Sequence, residues 1–217
     1  MSFYQVFDFL RELQANNNKQ WMDGHRDEYE AARDYVIRWT NELNEALAAA
    51  DDAFMPVEGR KAISRINNNL MYHPDKPIYK DYFGVELNIS GGPSTFYLQM
   101  SLRNNLVGGG MYKPKKENLD KIRAAIDYDG EKLKKIINKK SFKEMFGELD
   151  SKHKLKTAPK GYSQEHQHID LLRLKSFAVM YGTTQKEIAA DGFIDKVTEI
   201  YKEMMPFGQY FNRALSV

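Results

Sequence analysis

Apolar side chains recur at helical spacing at Phe3, Val6, Phe7, Leu10 and Leu13, and Ser2 stands three residues before Gln5, the arrangement of a capping box. The chain therefore opens with an amphipathic helix. Asn16-Asn17-Asn18 should end it, because asparagine side chains compete for backbone hydrogen bonds and tolerate left-handed backbone. Trp21 follows in a short segment before Gly24. From about Arg26 to Ala50 the apolar positions Tyr29, Ala32, Val36, Trp39, Leu43 and Leu47 define a long helix whose other face, with Asp27, Glu30, Asp34 and Arg38, is expected to be solvated.

The period then changes. If Ala62 to Asn67 is extended, Ile63, Arg65 and Asn67 point to one side and Ala62, Ser64 and Ile66 to the other. His73-Pro74-Asp75-Lys76-Pro77 reads as a loop, since each proline fixes its own φ and pushes the preceding residue away from helix. Val85, Leu87 and Ile89 alternate with polar residues. So do Phe96, Leu98, Met100 and Leu102 beyond Ser90-Gly91-Gly92-Pro93, which predicts a hairpin with one buried face. Leu106 to Tyr112 continues the meander through three glycines, and Leu174 to Tyr181 adds a later strand. Helical spacing returns at Leu119, Ile122 and Ile126, breaks at Asp127 to Gly130, and resumes at Leu133 and Ile136. Capping boxes are expected at Ser141/Glu144 and Thr184/Glu187, 151–163 is expected to be loop, and Pro206 marks a further helix start near the C-terminus. The expected fold is α+β in one domain, 1–217: a mainly antiparallel sheet of about four or five strands covered by N-terminal, middle and C-terminal helices.

Composition narrows the chemistry. The 217 residues carry 42% hydrophobic and 29% charged side chains, as an ordinary folded protein does. With no cysteine, disulfides, thiolate catalysis and thiolate-held metals are excluded, and a reducing cytoplasm is the expected setting. No apolar run is long enough to span a membrane and no signal peptide is evident, so no membrane partner is expected. The net charge of +2 hides an asymmetry: Met1 to Arg60 holds 6 Lys/Arg against 12 Asp/Glu, and Lys113 to Lys156 holds 14 against 8.

Positive charge, amides and phenols concentrate between Ala62 and Lys80. Arg65, Asp75, Lys76, Tyr79 and Lys80, joined by Arg103, Tyr112 and Lys175, are the candidate ligand-binding residues. Gly108-Gly109-Gly110 before Lys113-Pro114-Lys115-Lys116 invites comparison with phosphate loops, but it matches neither GxxxxGK[ST] nor GxGxxG. A bend that relieves crowding accounts for it better. Of His25, His73, His153, His166 and His168, only His166-x-His168 has a ligand-like spacing, and without a third ligand no metal is assigned. Seryl nucleophile motifs are absent.

Several segments together resemble the bacterial and fungal domain-of-unknown-function 2461 family: FLRELQANNNKQWMDGHRDEYE, Arg65-Ile66-Asn67 leading to Asp75-Lys76 and Tyr79-Lys80, Gly108 to Pro114, LDKIRAAI at Leu119 to Ile126, and IDLLRLKSF at Ile169 to Phe177. The resemblance covers almost the whole chain and brings no established activity or cofactor. It implies that Arg65, Asp75, Lys76, Tyr79, Lys80, Tyr112, Arg123 and Lys175 are worth testing as one cluster.

The residues point first to a phosphate- or carboxylate-bearing small molecule held by Arg65, Lys76, Lys80, Arg103 and Lys175, with Tyr79 and Tyr112 orienting it. An enzyme using the same pocket, with Asp75 or a tyrosine moving protons, is a second expectation. A protein- or nucleic-acid-interaction domain reading through Arg65, Tyr72, Lys113 and Lys115 is a third. Catalytic residues, cofactors and oligomeric state have no sequence signal.

Overall fold

The computed structural model describes residues 1–216. The Ser2 amide donates to Gln5 Oε1 at 2.8 Å, and helix α1 runs Phe3–Ala15. The Asn18 side chain then accepts the Trp21 N–H at 2.9 Å and starts α2, Lys19–Gly24. Helix α3, Arg26–Ala50, has the bounds its periodicity predicts, and buries Ala32, Val36, Trp39, Leu43 and Leu47.

One antiparallel sheet follows in the order β1 (Tyr82–Asn88), β2 (Thr95–Ser101), β3 (Leu106–Met111) and β4 (Phe177–Gly182). The register aligns Leu87, Phe96, Gly109 and Val179 on one face, and Glu86, Tyr97, Gly108 and Met180 on the other. The first face is buried under the C-terminal helix α9, Phe193–Leu215. The glycines of β3 follow from that packing. A Cβ on Gly109 would sit 2.7 Å from Met204 Sδ, and one on Gly110 would sit 2.3 Å from the Phe177 carbonyl oxygen and 2.8 Å from Phe207. Gly110 also has φ 109°, a conformation that side chains resist. The bend thus relieves crowding.

The expected strand from Ala62 to Asn67 is reduced to fragments. Its start is absorbed into a turn of helix, α4 (Gly59–Ala62), and only two isolated bridges remain, Ile63 to Val85 and Asn67 to Tyr79. After the Ser64 N–H donates to the Gly84 carbonyl at 2.8 Å, the segment bends away from β1 and pairs with residues 78–80. The sheet therefore keeps four strands.

Helix α5, Lys116–Ile137, breaks at Asp129 (φ −143°, ψ 51°), within the stretch where the periodicity lapses. Short helices α6 (Lys140–Phe146), α7 (Ile169–Leu172) and α8 (Gln185–Ile188) complete the set. The Thr184/Glu187 capping box forms at α8. The Ser141/Glu144 box does not: α6 begins two residues earlier than that cap would start it, and Ser141 Oγ donates to Glu203 Oε1 at 2.9 Å, a tertiary acceptor that a local cap cannot match. Pro206 lies inside α9 and starts nothing. Burial of Ile200, Tyr201 and Met204 before it and Phe207, Tyr210 and Phe211 after it outweighs the ~3 kcal/mol that an interior proline costs. Among the described residues no helix is long and apolar enough to cross a membrane.

Candidate anion-binding site

Residues 66–68 and 78–80 form the two arms of a narrow hairpin. The Lys80 N–H donates to the Ile66 carbonyl at 2.7 Å and the Asn68 N–H to the Ile78 carbonyl at 2.9 Å. These bonds leave the N–H and C=O of Tyr79 facing outward, and Asn17 takes both: its Oδ1 accepts from the Tyr79 N–H at 2.9 Å and its Nδ2 donates to the Tyr79 carbonyl at 2.9 Å. One side-chain amide thereby replaces a neighbouring strand. Ile66 and Tyr79 are buried, so the arms are anchored in the core.

Cations gather at this anchored base. Lys80 Nζ donates to the Arg65 carbonyl at 2.6 Å and stands 5.8 Å from the centroid of the Tyr82 ring. Partial burial pulls the Lys80 ammonium below its usual pKa, and the nearby positive charges of Arg65 and Lys76 pull it further.

Arg65 also faces a cleft of about 530 Å³ lined by Tyr29, Glu30, Arg33 and Asp34 of α3, Arg60 of α4, and Ile63 and Ser64. On α3 the pairs Tyr29/Arg33 and Glu30/Asp34 are four residues apart, which sets them on one helix face. Arg60 is brought up by close packing: a Cβ on Gly59 would lie 2.6 Å from the Ile37 carbonyl oxygen, and the Gly59 N–H donates to Asn41 Oδ1 at 2.9 Å. Among the described residues, the ion pairs involve none of Glu30, Arg33, Asp34, Arg60 and Arg65. Three guanidinium groups and two carboxylates thus share the cleft without neutralising one another at short range.

Ser64 supplies a further polar group. Its Oγ is buried and has no hydrogen-bond partner. It converges with the Tyr97 hydroxyl over Gly84, where an added Cβ would lie 3.2 Å from Ser64 Oγ and 2.8 Å from Tyr97 Oη. Burial, with Tyr82 and Glu86 nearby, pushes the Tyr97 phenol up to about 12, so it stays protonated, and its hydroxyl donates to Gln99 Oε1 at 3.2 Å.

A model of the family described as a conserved hypothetical protein (DUF2461) matches residues 5–210. The chain belongs to the DUF2461 family. No curated protein and no solved structure matches it.

The sheet register of this DUF2461 protein separates the sequence-derived candidates into two groups. Arg65, Lys80 and Arg103 sit at the end of the sheet where Tyr82 pairs with Ser101. Tyr112 and Lys175 lie at the other end, where Met111 pairs with Phe177. A strand of this length holds the two ends roughly 20 Å apart. Asp75 and Lys76 are exposed on the hairpin tip, and Tyr79 is buried. Arg123, drawn in by the family resemblance, donates through Nε to the Leu172 carbonyl at 3.0 Å and ties α5 to α7. Arg33 and Arg60 were not among the candidates, and the only sequence signal for the former is its four-residue spacing from Tyr29.

None of the five histidines lines this cleft. His166 Nδ1 accepts from the His168 N–H at 3.0 Å, which requires the other nitrogen to carry the proton, and Nε2 lies 2.9 Å from Asp127. Both ring nitrogens are therefore engaged. His168 is buried against Gly130 at the break in α5. His25 stacks on Trp21 with ring centroids 4.0 Å apart. Among the described residues, no group of three or more His, Asp or Glu is placed to hold a metal ion.

Proposed function

We propose that this DUF2461 protein binds a phosphate- or carboxylate-bearing small molecule in the cleft between α3 and residues 60–65. The supporting observation is the lining itself: Arg33, Arg60 and Arg65 face one concavity and no carboxylate closes on any of them, while the Ser64 hydroxyl lacks a partner. Planar guanidinium groups suit bidentate capture of either anion, and charge-assisted bonds of this kind are the strong ones. The absence of cysteine supports a cytoplasmic setting. Tyr112, Lys175 and Asp75 do not belong to this site.

A catalytic use of the cleft has one observation in its favour. Glu30 and Asp34 stand in it unpaired, so either carboxylate is free to accept a proton from a bound ligand while the arginines hold its charge. The nucleic-acid reading has less support, because Tyr112, Lys113 and Lys115 lie at the end of the sheet away from Arg65.

Thermal unfolding against inorganic phosphate, citrate and nucleoside monophosphates tests the binding reading. A ligand at a hundred times its Kd adds about 2.7 kcal/mol, which raises the Tm of a chain of this size by about 5–10 °C. Arg33→Ala and Arg65→Ala should each weaken that ligand by at least about tenfold, the loss of one charged hydrogen bond. If no anion shifts the transition, or if the shift survives both substitutions, the cleft is not the site.

A further inference from the structure

Leu70, Met71 and Tyr72 form the tip of the hairpin, and they are 37%, 78% and 70% exposed. Three consecutive large apolar residues left in solvent are unusual in a chain that buries every phenylalanine and most of its leucines. The tip is also built to stay out. The Tyr72 and His73 amides donate to the Asn69 carbonyl at 3.3 and 3.0 Å, the Lys76 amide to the His73 carbonyl at 3.2 Å, and Asn68 Nδ2 to the Pro77 carbonyl at 2.9 Å. Pro74 and Pro77 stiffen the return arm. A rigid turn on an anchored base holds these side chains away from the core.

The same hairpin carries three cations. Lys76 is on the tip itself, Lys80 and Arg65 are at its base, and Asp75 is the one acid among residues 65–80. Among the described residues none of these cations makes an ion pair. An apolar tip on a hairpin that carries Lys76, Lys80 and Arg65 against a single acid matches the two layers of an anionic membrane surface, acyl boundary within and phosphate headgroups without. A protein partner fits less well, because three protruding side chains fall far short of the roughly 800 Å² per partner that a stable interface buries. We propose that the Leu70–Tyr72 tip is a membrane-docking element, dipping into the interfacial zone of an anionic bilayer while Lys76, Lys80 and Arg65 engage its headgroups. The expectation of no membrane partner rests on the want of a spanning run; a three-residue tip lies below what that criterion detects. The proposal goes beyond the cleft reading and shares only Arg65 with it.

Cosedimentation with vesicles tests it, using phosphatidylcholine alone and phosphatidylcholine mixed with phosphatidylglycerol. The chain should pellet with the mixed vesicles and stay in solution with the neutral ones. The double substitution Met71→Ser, Tyr72→Ser, which touches no core residue, should weaken that binding at least about tenfold with an unchanged Tm. Lys76→Glu should weaken it too. Arg33→Ala should leave it intact, so a failed cleft and a failed tip give different results. In the Tyr72→Trp variant, emission should shift to the blue on mixed vesicles only. No pelleting with mixed vesicles, or pelleting indifferent to the tip substitutions, overturns the proposal. So does a self-associated species on gel filtration that Met71→Ser dissolves, which would assign the tip to a second copy of the chain.

Discussion

Replacing Asn17 by alanine removes the amide that brackets Tyr79 and should loosen the whole 63–80 hairpin from its base. Two hydrogen bonds of 2.9 Å are lost at once. Each contributes about 0.5–1.5 kcal/mol net, and leaving the partner group dry costs about 1–3 kcal/mol. Asn17 is half-buried, so water reaches part of the vacated site and the total should fall near 2 kcal/mol. For a chain of this length that corresponds to a Tm lower by about 4–8 °C. Urea unfolding should show a lower midpoint with an unchanged slope, because no additional surface is exposed. Hydrogen exchange gives the local readout: the Tyr79 amide should lose protection first, followed by those of Asn68 and Lys80, which depend on the pairing it supports. Asn17→Asp, which keeps the acceptor and loses the donor, should fall between wild type and alanine. A loss below about 0.5 kcal/mol with the Tyr79 amide still protected would mean that the arms hold without the bracket, and the rigid-base reasoning would fail.

Two further substitutions probe the core that carries the hairpin. Asp51, at the C-terminal end of α3, is buried; burial pushes its carboxyl up, but hydrogen bonds from Tyr201 at 2.6 Å, Ser90 at 2.7 Å and the Ala53 N–H at 3.0 Å outweigh it and hold the carboxyl below the usual range. The folded form is then the stronger acid, so this stabilisation is present above about pH 4 and is lost as the pH falls through the folded pKa. Asp51→Asn should lower stability at neutral pH and flatten the acid side of a stability profile measured by urea midpoint; an unaltered acid slope would count against the network. Gly110→Ala should cost about 2–4 kcal/mol, since the new methyl meets the Phe177 carbonyl at a positive φ. Equal urea midpoints for wild type and variant would show that β3 has room there.

Periodicity carried most of the fold because most elements are anchored by long apolar repeats. The bounds of α3, the β1–β2 hairpin and the break in α5 each follow from the spacing of residues that end up buried. The misses fall where one tertiary contact overrode a local rule. Ser141 exchanged its cap for Glu203, and Pro206 was carried through α9 by the packing on either side. The 62–67 strand gave way once its far end found residues 78–80 as a partner. The candidate site was legible in part. Alternation along 62–67 picked out Arg65, whereas Arg33 stands beside acids on a face that reads as solvated, and Arg60 arrives through the close approach of Gly59 to Ile37. No spacing rule reaches across two elements that meet only in three dimensions.

The asparagines show how such meetings are secured in a chain with few regular loops. Asn44 donates to the Val57 carbonyl at 2.8 Å and accepts its N–H at 3.1 Å, as Asn17 does for Tyr79. Asn212 donates to the Ile89 carbonyl at 2.7 Å and accepts the Ser94 N–H at 2.9 Å. In each case an irregular stretch of backbone is given the two partners that a neighbouring strand would have supplied, which is what a part-buried loop requires. Two of the three brackets border the candidate site, one on the segment that leads into α4 and one at the base of the hairpin. Arg60 on the short α4, and Arg65 and Lys80 on the irregular stretch beyond it, therefore sit on backbone with a fixed course, the condition under which charged side chains can be held toward a common ligand without a large ordering cost on binding. The Leu70–Tyr72 tip has only its own turn bonds, and its order should depend on that hairpin base.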